Sequence, residues 1–171
     1  MTGRSSRDGN ESNMSAKLKL PAIDPATVNA VAGSNYPERF KPGVAGRSKQ
    51  RLGDALGLKN FGVNLTTIKP GAASALRHWH SAEDEFIFMI SGELVLITGA
   101  GEQLLTAGMA AGFPAGKADA HCLVNRGSDD AVYLEVGDRK AGDEAKYPDV
   151  DLDRRNTPGG RVFCHKDGTP Y

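Results

Sequence analysis

Two histidines flank the chain's one tryptophan at positions 78 to 80, inside RHWHSAEDEFIFMISGE (77–93), and this spacing constrains the chain more than any other feature. In an extended strand successive side chains alternate between faces, so His78 and His80 project to one side and Trp79 to the other. Two imidazoles on one face can share a metal ion. The apolar run Phe86 to Ile90, ending at Ser91 and Gly92, predicts a second strand after a polar break that holds Glu83, Asp84 and Glu85. Strand, turn and strand in this order can swing an acid toward the histidines, adding a hard oxygen ligand to two imidazoles. Taken alone, an H-x-H pair describes two surface histidines equally well.

A third histidine supports the metal reading. His121 opens HCLVN, a β-branched and apolar stretch after the turn-rich segment AGMAAGFPAGKAD. The histidines and the acid together resemble the cupin family, whose first motif reads G-x5-H-x-H-x3,4-E-x6-G and whose second reads G-x5-P-x-G-x2-H-x3-N. Gly71, His78, His80, Glu85 and Gly92 fit the first motif, with six residues rather than five between Gly71 and His78. The four-residue gap after His80 and the six-residue gap before Gly92 select Glu85 over its acidic neighbours. Gly108, Pro114, Gly116, His121 and Asn125 fit the second motif, with four residues rather than two between Gly116 and His121. The resemblance implies a jelly-roll barrel that binds a metal through His78, His80, Glu85 and His121.

At 171 residues the chain is long enough for one sizeable core and short for two. Its formal net charge is zero, which gives no electrostatic support for a dedicated nucleic-acid role. The charge is unevenly spread: residues 1–60 carry ten Lys or Arg against five Asp or Glu, and residues 61–171 carry eleven against sixteen. A basic arm beside an acidic body can clasp a sister subunit or its own barrel, or can simply be solvated. Residues 1–15 have almost no apolar content and are expected to form a disordered leader. Without an apolar leader core or a run of about 18 apolar residues, neither a secretory signal nor a transmembrane span is expected. Two cysteines, Cys122 and Cys164, are too few and too far apart for a disulfide framework, which favours the cytoplasm.

Residues 16–58 alternate short apolar touches with Pro21, Pro25, Pro37 and Pro42 and predict an extended arm. A helical turn fits near residues 25–31, where Asp24 can cap and Pro25 can take the first helical position; SKQRLGDALG predicts a short turn or edge strand. The barrel proper is expected over 59–139. Its first strand is NFGVNLTTIKPG, where Phe61, Val63, Leu65 and Thr67 alternate with Gly62, Asn64, Thr66 and Ile68. The strands FIFMI, ELVLIT, Glu102–Leu105, Met109–Phe113, HCLVN and AVYLEVGD follow. FIFMI is apolar on both faces, so something besides the core must cover it, either a partner subunit or the arm. Short strands with frequent turns and little helical period predict an all-β, antiparallel jelly roll. Residues 140–171 predict a polar tail laid on the barrel, with RVFCHKDG as an edge strand and His165 packing there.

Three imidazoles and a carboxylate suit a divalent ion such as Zn, Fe, Mn or Ni and leave coordination positions open. Affinity is expected to fall as pH drops through the imidazole range. Beyond the ligands, Met89, Phe113, Leu123 and Tyr133 are the expected site-facing residues, and no general base declares itself. Glu83 and Asp84 are expected on a solvated turn and Arg77 on the outside. The preferred reading is a metal-dependent isomerase, lyase or dioxygenase acting on a small polar or sugar-like molecule. The alternative is a non-catalytic, small-molecule-binding or sensory protein of the same family. A DNA-reading regulator is the weakest reading, because prolines recur where a helix-turn-helix would have to lie. A homodimer is expected from FIFMI; no nucleic-acid or membrane partner is.

Overall fold

The computed structural model describes residues 18–171, and the leader expected over residues 1–15 lies outside them. In chain order the strands are β1 (Ala30–Ala32), β2 (Arg47–Gln50), β3 (Phe61–Ile68), β4 (Trp79–His80), β5 (Glu85–Ser91), β6 (Glu93–Thr98) and β7 (Gly101–Thr106). There follow β8 (Ala110–Phe113), β9 (Cys122–Val124), β10 (Ala131–Asp138), β11 (Ala145–Tyr147), β12 (Leu152–Thr157) and β13 (Gly160–Cys164); α1 (Leu52–Ala55) is a single helical turn. One sheet has the order β1-β2-β3-β10-β5-β8. Facing it are a three-stranded sheet, β7-β6-β9, and a four-stranded sheet, β13-β12-β11-β4, joined through the bridges Ala73 to Val124 and His78 to His121. Every strand pairing is antiparallel, and the architecture is a jelly roll.

The core lies between these layers. Ile68, Met89 and Tyr133 of the six-stranded sheet meet Leu94, Leu96, Leu105 and Leu123 of the other layer. Gly92 makes the tight turn from β5 to β6 at φ 71°, and a Cβ there would stand 2.8 Å from Ala131 Cα. Only a glycine combines that backbone conformation with that approach.

Register decides which residues face inward. Glu135 stands opposite both Asn64 and Ile87, Tyr133 opposite Thr66 and Met89, and Lys49 opposite Thr66. This set faces the interior. The complementary set, Val63, Leu65, Leu134, Val136, Phe86 and Phe88, therefore points away from it. Ile87 is 4% exposed and Met89 0%, whereas Phe86, Phe88 and Ile90 are 43%, 40% and 48% exposed. Among the described residues, the arm leaves this outer row of β5 uncovered.

The arm and the tail both carry more structure than an extended path. Asp24 caps the 3-10 turn Pro25–Thr27 by accepting from Ala26 N at 2.9 Å, with Pro25 at its first position. Pro37 and Pro42 then accompany two further 3-10 turns, after which β2 pairs along β3 and β1 along β2. The tail forms the meander β11 to β13, because β4 has an open edge whose backbone groups β11 satisfies. Arm and tail meet in a second cluster of Tyr36, Val44, Ala145, Tyr147 and Leu152, backed by Phe40 and Phe163. No helix among the described residues is long and apolar enough to cross a membrane.

Candidate metal centre

β4 delivers His80, the bend before it delivers His78, and the first residue of β5 delivers Glu85. One ligand atom from each of the three lies within 4.8 Å of the others. His121 joins them through Glu85: its Nε2 stands 3.2 Å from Glu85 Oε2, against 3.6 Å for His80 Nε2 and 4.0 Å for His78 Nε2. The longer loop before His121 does not misdirect it. His78 and His121 exchange both backbone hydrogen bonds, at 3.1 and 2.8 Å, while Gly116 N donates to His80 O at 2.8 Å and secures the loop.

The imidazoles are oriented from behind. His78 Nδ1 lies 2.8 Å from the carbonyl of Leu76, and His80 Nδ1 lies 2.7 Å from Asp143 Oδ2. Both partners are acceptors, so Nδ1 carries the proton in each ring and the Nε2 lone pair is free toward Glu85. Asp143 is fully buried and also accepts from Ala82 N at 2.9 Å, Glu83 N at 3.2 Å and Arg154 Nη2 at 3.0 Å. Burial opposes it, but His80 and the amides of Ala82 and Glu83 hold its carboxyl below the usual range. His121 is fixed by packing, its ring stacked on Phe113 with centroids 3.5 Å apart, and Tyr147 stacks on His78 at 5.4 Å.

Burial pushes His78 down to about 4, against a smaller opposing pull from Glu85, so its imidazole is neutral near pH 7. For Glu85, burial alone would raise the pKa. The close approach of His121 and the three surrounding imidazoles hold it well below the carboxylate range instead. Glu85 Oε2 is nevertheless buried with no hydrogen-bond partner of good geometry, and His121 Nδ1 is buried without one too. An orphaned carboxylate oxygen within 4.0 Å of three imidazole Nε2 atoms fits a cation, because an ion would satisfy all four atoms at once.

The remaining expected residues separate. Phe113, Leu123 and Tyr133 line a cavity of about 690 Å³ that also contains the cluster, whereas Met89 sits outside it in the core. Glu83 departs from the solvated turn expected for it: it is 7% exposed, accepts from Arg161 and stands 3.7 Å from His80 Nδ1. β13 supplies that arginine. Asp84 stays exposed, accepting from Ala115 N at 2.6 Å. Arg77 pairs with Asp149, and His165 packs on Tyr171 within the tail. Asn125 is buried and holds its own turn through Ile68 O and Asp129 O, both at 2.8 Å.

Several residues in or behind the site gave no motif signal. Glu135 accepts from Lys49 Nζ at 2.7 and 2.9 Å and from Asn64 Nδ2 at 3.0 Å. The one available hint was the period-two pattern that sets Glu135 on the face of Tyr133, opposite the valines and leucine of its strand. Asp143 and Arg154 lie in a stretch rich in charges of both signs, where nothing distinguishes them.

The Cupin domain family model matches residues 64–137, which include all four residues of the cluster. A sugar phosphate isomerase from a cupin superfamily, from Silicibacter pomeroyi, is 42% identical, with 88% of this chain and 96% of that one covered at TM-score 0.84. A structure from Acidithiobacillus ferrooxidans is 28% identical over 82% of this chain and 89% of that one, at TM-score 0.70. The polyketide cyclase RemF of Streptomyces resistomycificus shares the fold at 19% identity and TM-score 0.58, covering 70% of this chain and 79% of its own. Among proteins with curated descriptions, none matches the sequence. Motif, jelly roll and a relative of this identity over nearly its whole length agree that the chain belongs to the cupin superfamily.

Proposed function

We propose that this cupin is a metal-dependent isomerase of a small sugar-like hydroxy-carbonyl compound, with His78, His80, Glu85 and His121 as the metal ligands. The observation that carries the reading is the convergence of three imidazole nitrogens on the unsatisfied oxygen of Glu85. The isomerase class is supported by the 42% identical relative, a sugar phosphate isomerase. A divalent ion held by these four residues, zinc, iron, manganese or nickel, supplies the charge that polarises a carbonyl and stabilises negative oxygen.

The chain's own groups do the rest. Exchanging a carbonyl and a hydroxyl on adjacent carbons moves a proton from one carbon to the other. Glu135 is the carboxylate placed to take and return it. It faces the cavity one step diagonally from Glu85, roughly 7 Å by Cβ in an antiparallel pair. Lys49 and Asn64 fix its orientation. Phe113, Leu123 and Tyr133 form an apolar part of the same cavity wall.

The protein is further read as a homodimer joined through the outer row Phe86, Phe88 and Ile90, since a sheet face this apolar is otherwise exposed. The two buried, unpaired thiols Cys122 and Cys164 fit a reducing cytoplasm.

Elemental analysis of protein purified without added metal, followed by assay of aldose and ketose substrates in deuterated water, tests the function. Bound metal and deuterium incorporation at the carbon next to the carbonyl are expected. Both should be lost in His80→Ala and Glu85→Ala, whereas Glu135→Gln should keep the metal and lose the exchange. Turnover that survives complete chelation would exclude the reading.

A further inference from the structure

The cavity holds a partly buried cation that neither the metal cluster nor Glu135 uses and that no acid pairs with. Arg47, on the inner face of β2, is partly buried and lines the same cavity as His78, Glu85 and His121. Its guanidinium donates to the carbonyl of Ser74 and, at 3.0 Å, to that of Gly33. Its Nε is shielded from solvent and has no partner. Ser74 in turn exchanges hydrogen bonds with Leu123, two residues beyond His121, at 2.8 and 3.0 Å. The guanidinium is thus tied to the strand that follows the third histidine.

The other cations around the cavity are matched by acids: Lys49 by Glu135, Arg139 by Asp54, Arg154 by Asp143 and Arg161 by Glu83. Arg51 is exposed to solvent. Among the described residues, no carboxylate oxygen lies within 4.0 Å of Arg47. Carbonyls satisfy donors without neutralising charge, so a partly desolvated guanidinium is left with no counter-ion, an unfavourable state that a bound anion would relieve. The same two carbonyls hold the planar fork in one orientation, which is what recognition of an oxyanion requires.

We propose that Arg47 anchors the anionic end, a phosphate or a carboxylate, of the small molecule that occupies this cavity. The proposal rests on the reading of the cavity as a substrate site. It adds the requirement that the substrate be charged, and it names the residue that selects for the charge.

Isothermal titration of the full chain with inorganic phosphate and, separately, with acetate tests it, on protein with and without added metal. The wild type is expected to bind one of these probes in both forms, and which one distinguishes a phosphate from a carboxylate site. Arg47→Gln should weaken that binding about tenfold or more, the loss of a charge-assisted hydrogen bond. Arg47→Lys, which keeps the charge but loses the fork, should fall between, and Arg126→Gln, in an exposed pair with Glu102, should match the wild type. Failure of the metal or of turnover would overturn the proposed function yet leave the metal-free titration readable. No binding of either probe by the wild type, or equal affinity in a folded Arg47→Gln, would overturn the anchor. Should Arg47→Gln not fold, the Arg47 Nε–H resonance of the wild type decides: it should shift on adding the probe, and a resonance that stays in place overturns the proposal.

Discussion

The two faces of the six-stranded sheet differ in a way that runs against the usual arrangement of polar outside and apolar inside. Around the cavity the inner face carries Lys49, Asn64, Thr66, Tyr133, Glu135 and Glu85. The outer face at the same level carries Val63, Leu65, Leu134, Val136, Phe86 and Phe88. Deeper in the barrel, at Ile68, Met89 and Ala131, the inner face is wholly apolar and closed to solvent. A hollow interior that serves chemistry needs polar walls, and an apolar exterior needs a second surface to bury it. The difference thus separates a packed end that stabilises the barrel, a polar end that holds the candidate metal cluster, and an apolar outer face.

Substitutions on each surface sharpen or break that division. The largest stability effect is expected deep on the inner face, where Met89→Ala should cost about 2–5 kcal/mol. Urea unfolding measures it, and a cost below about 1 kcal/mol would mean that the closed end is loosely packed. On the outer face, Phe88→Glu should weaken self-association by about 2 kcal/mol or more with little change in subunit unfolding. Sedimentation equilibrium reads this, and a wild type that is monomeric at micromolar concentration would remove the associating role altogether.

Asp143→Asn, on the opposite layer, should lower metal affinity on the order of 10–100-fold by releasing His80 from its fixed tautomer. Competition with a chromogenic chelator gives the ratio; an unchanged value would show that β4 alone positions the ring. The smallest effect is expected outside all three regions. Arg77→Ala breaks a solvent-facing pair with Asp149 and should change stability by less than about 1 kcal/mol. A larger loss on thermal unfolding would mean that the tail's attachment contributes to the barrel's own stability.

Much of the cluster could be read from local spacing. His78, His80 and Glu85 lie within eight positions on a strand, a turn and a strand, and alternation alone puts both imidazoles on one side. Asp143, 63 positions from the ring it orients, could not be read this way. Glu83 escapes local reading for the same reason, since the arginine that donates to it, Arg161, is 78 positions away. The strand alternation of β3 and β10 was visible, but its sense was not. A period of two shows that a strand has two faces and leaves open which of them meets the cavity. That ambiguity hid Glu135, Asn64 and Lys49.

The order of residues along the chain by itself determined the strands of the barrel proper, the turns at glycine and proline, and the identity of the cluster, because each depends on neighbours a few positions apart. The tertiary structure alone decided which strand face turns inward, and that arm and tail close over the histidines. It also decided that Asp143 reaches His80 and that Glu135 and Arg47 reach the cavity. These are long-range pairings, and their free energy comes from burial and hydrogen bonding between segments that have no contact until the sheets assemble.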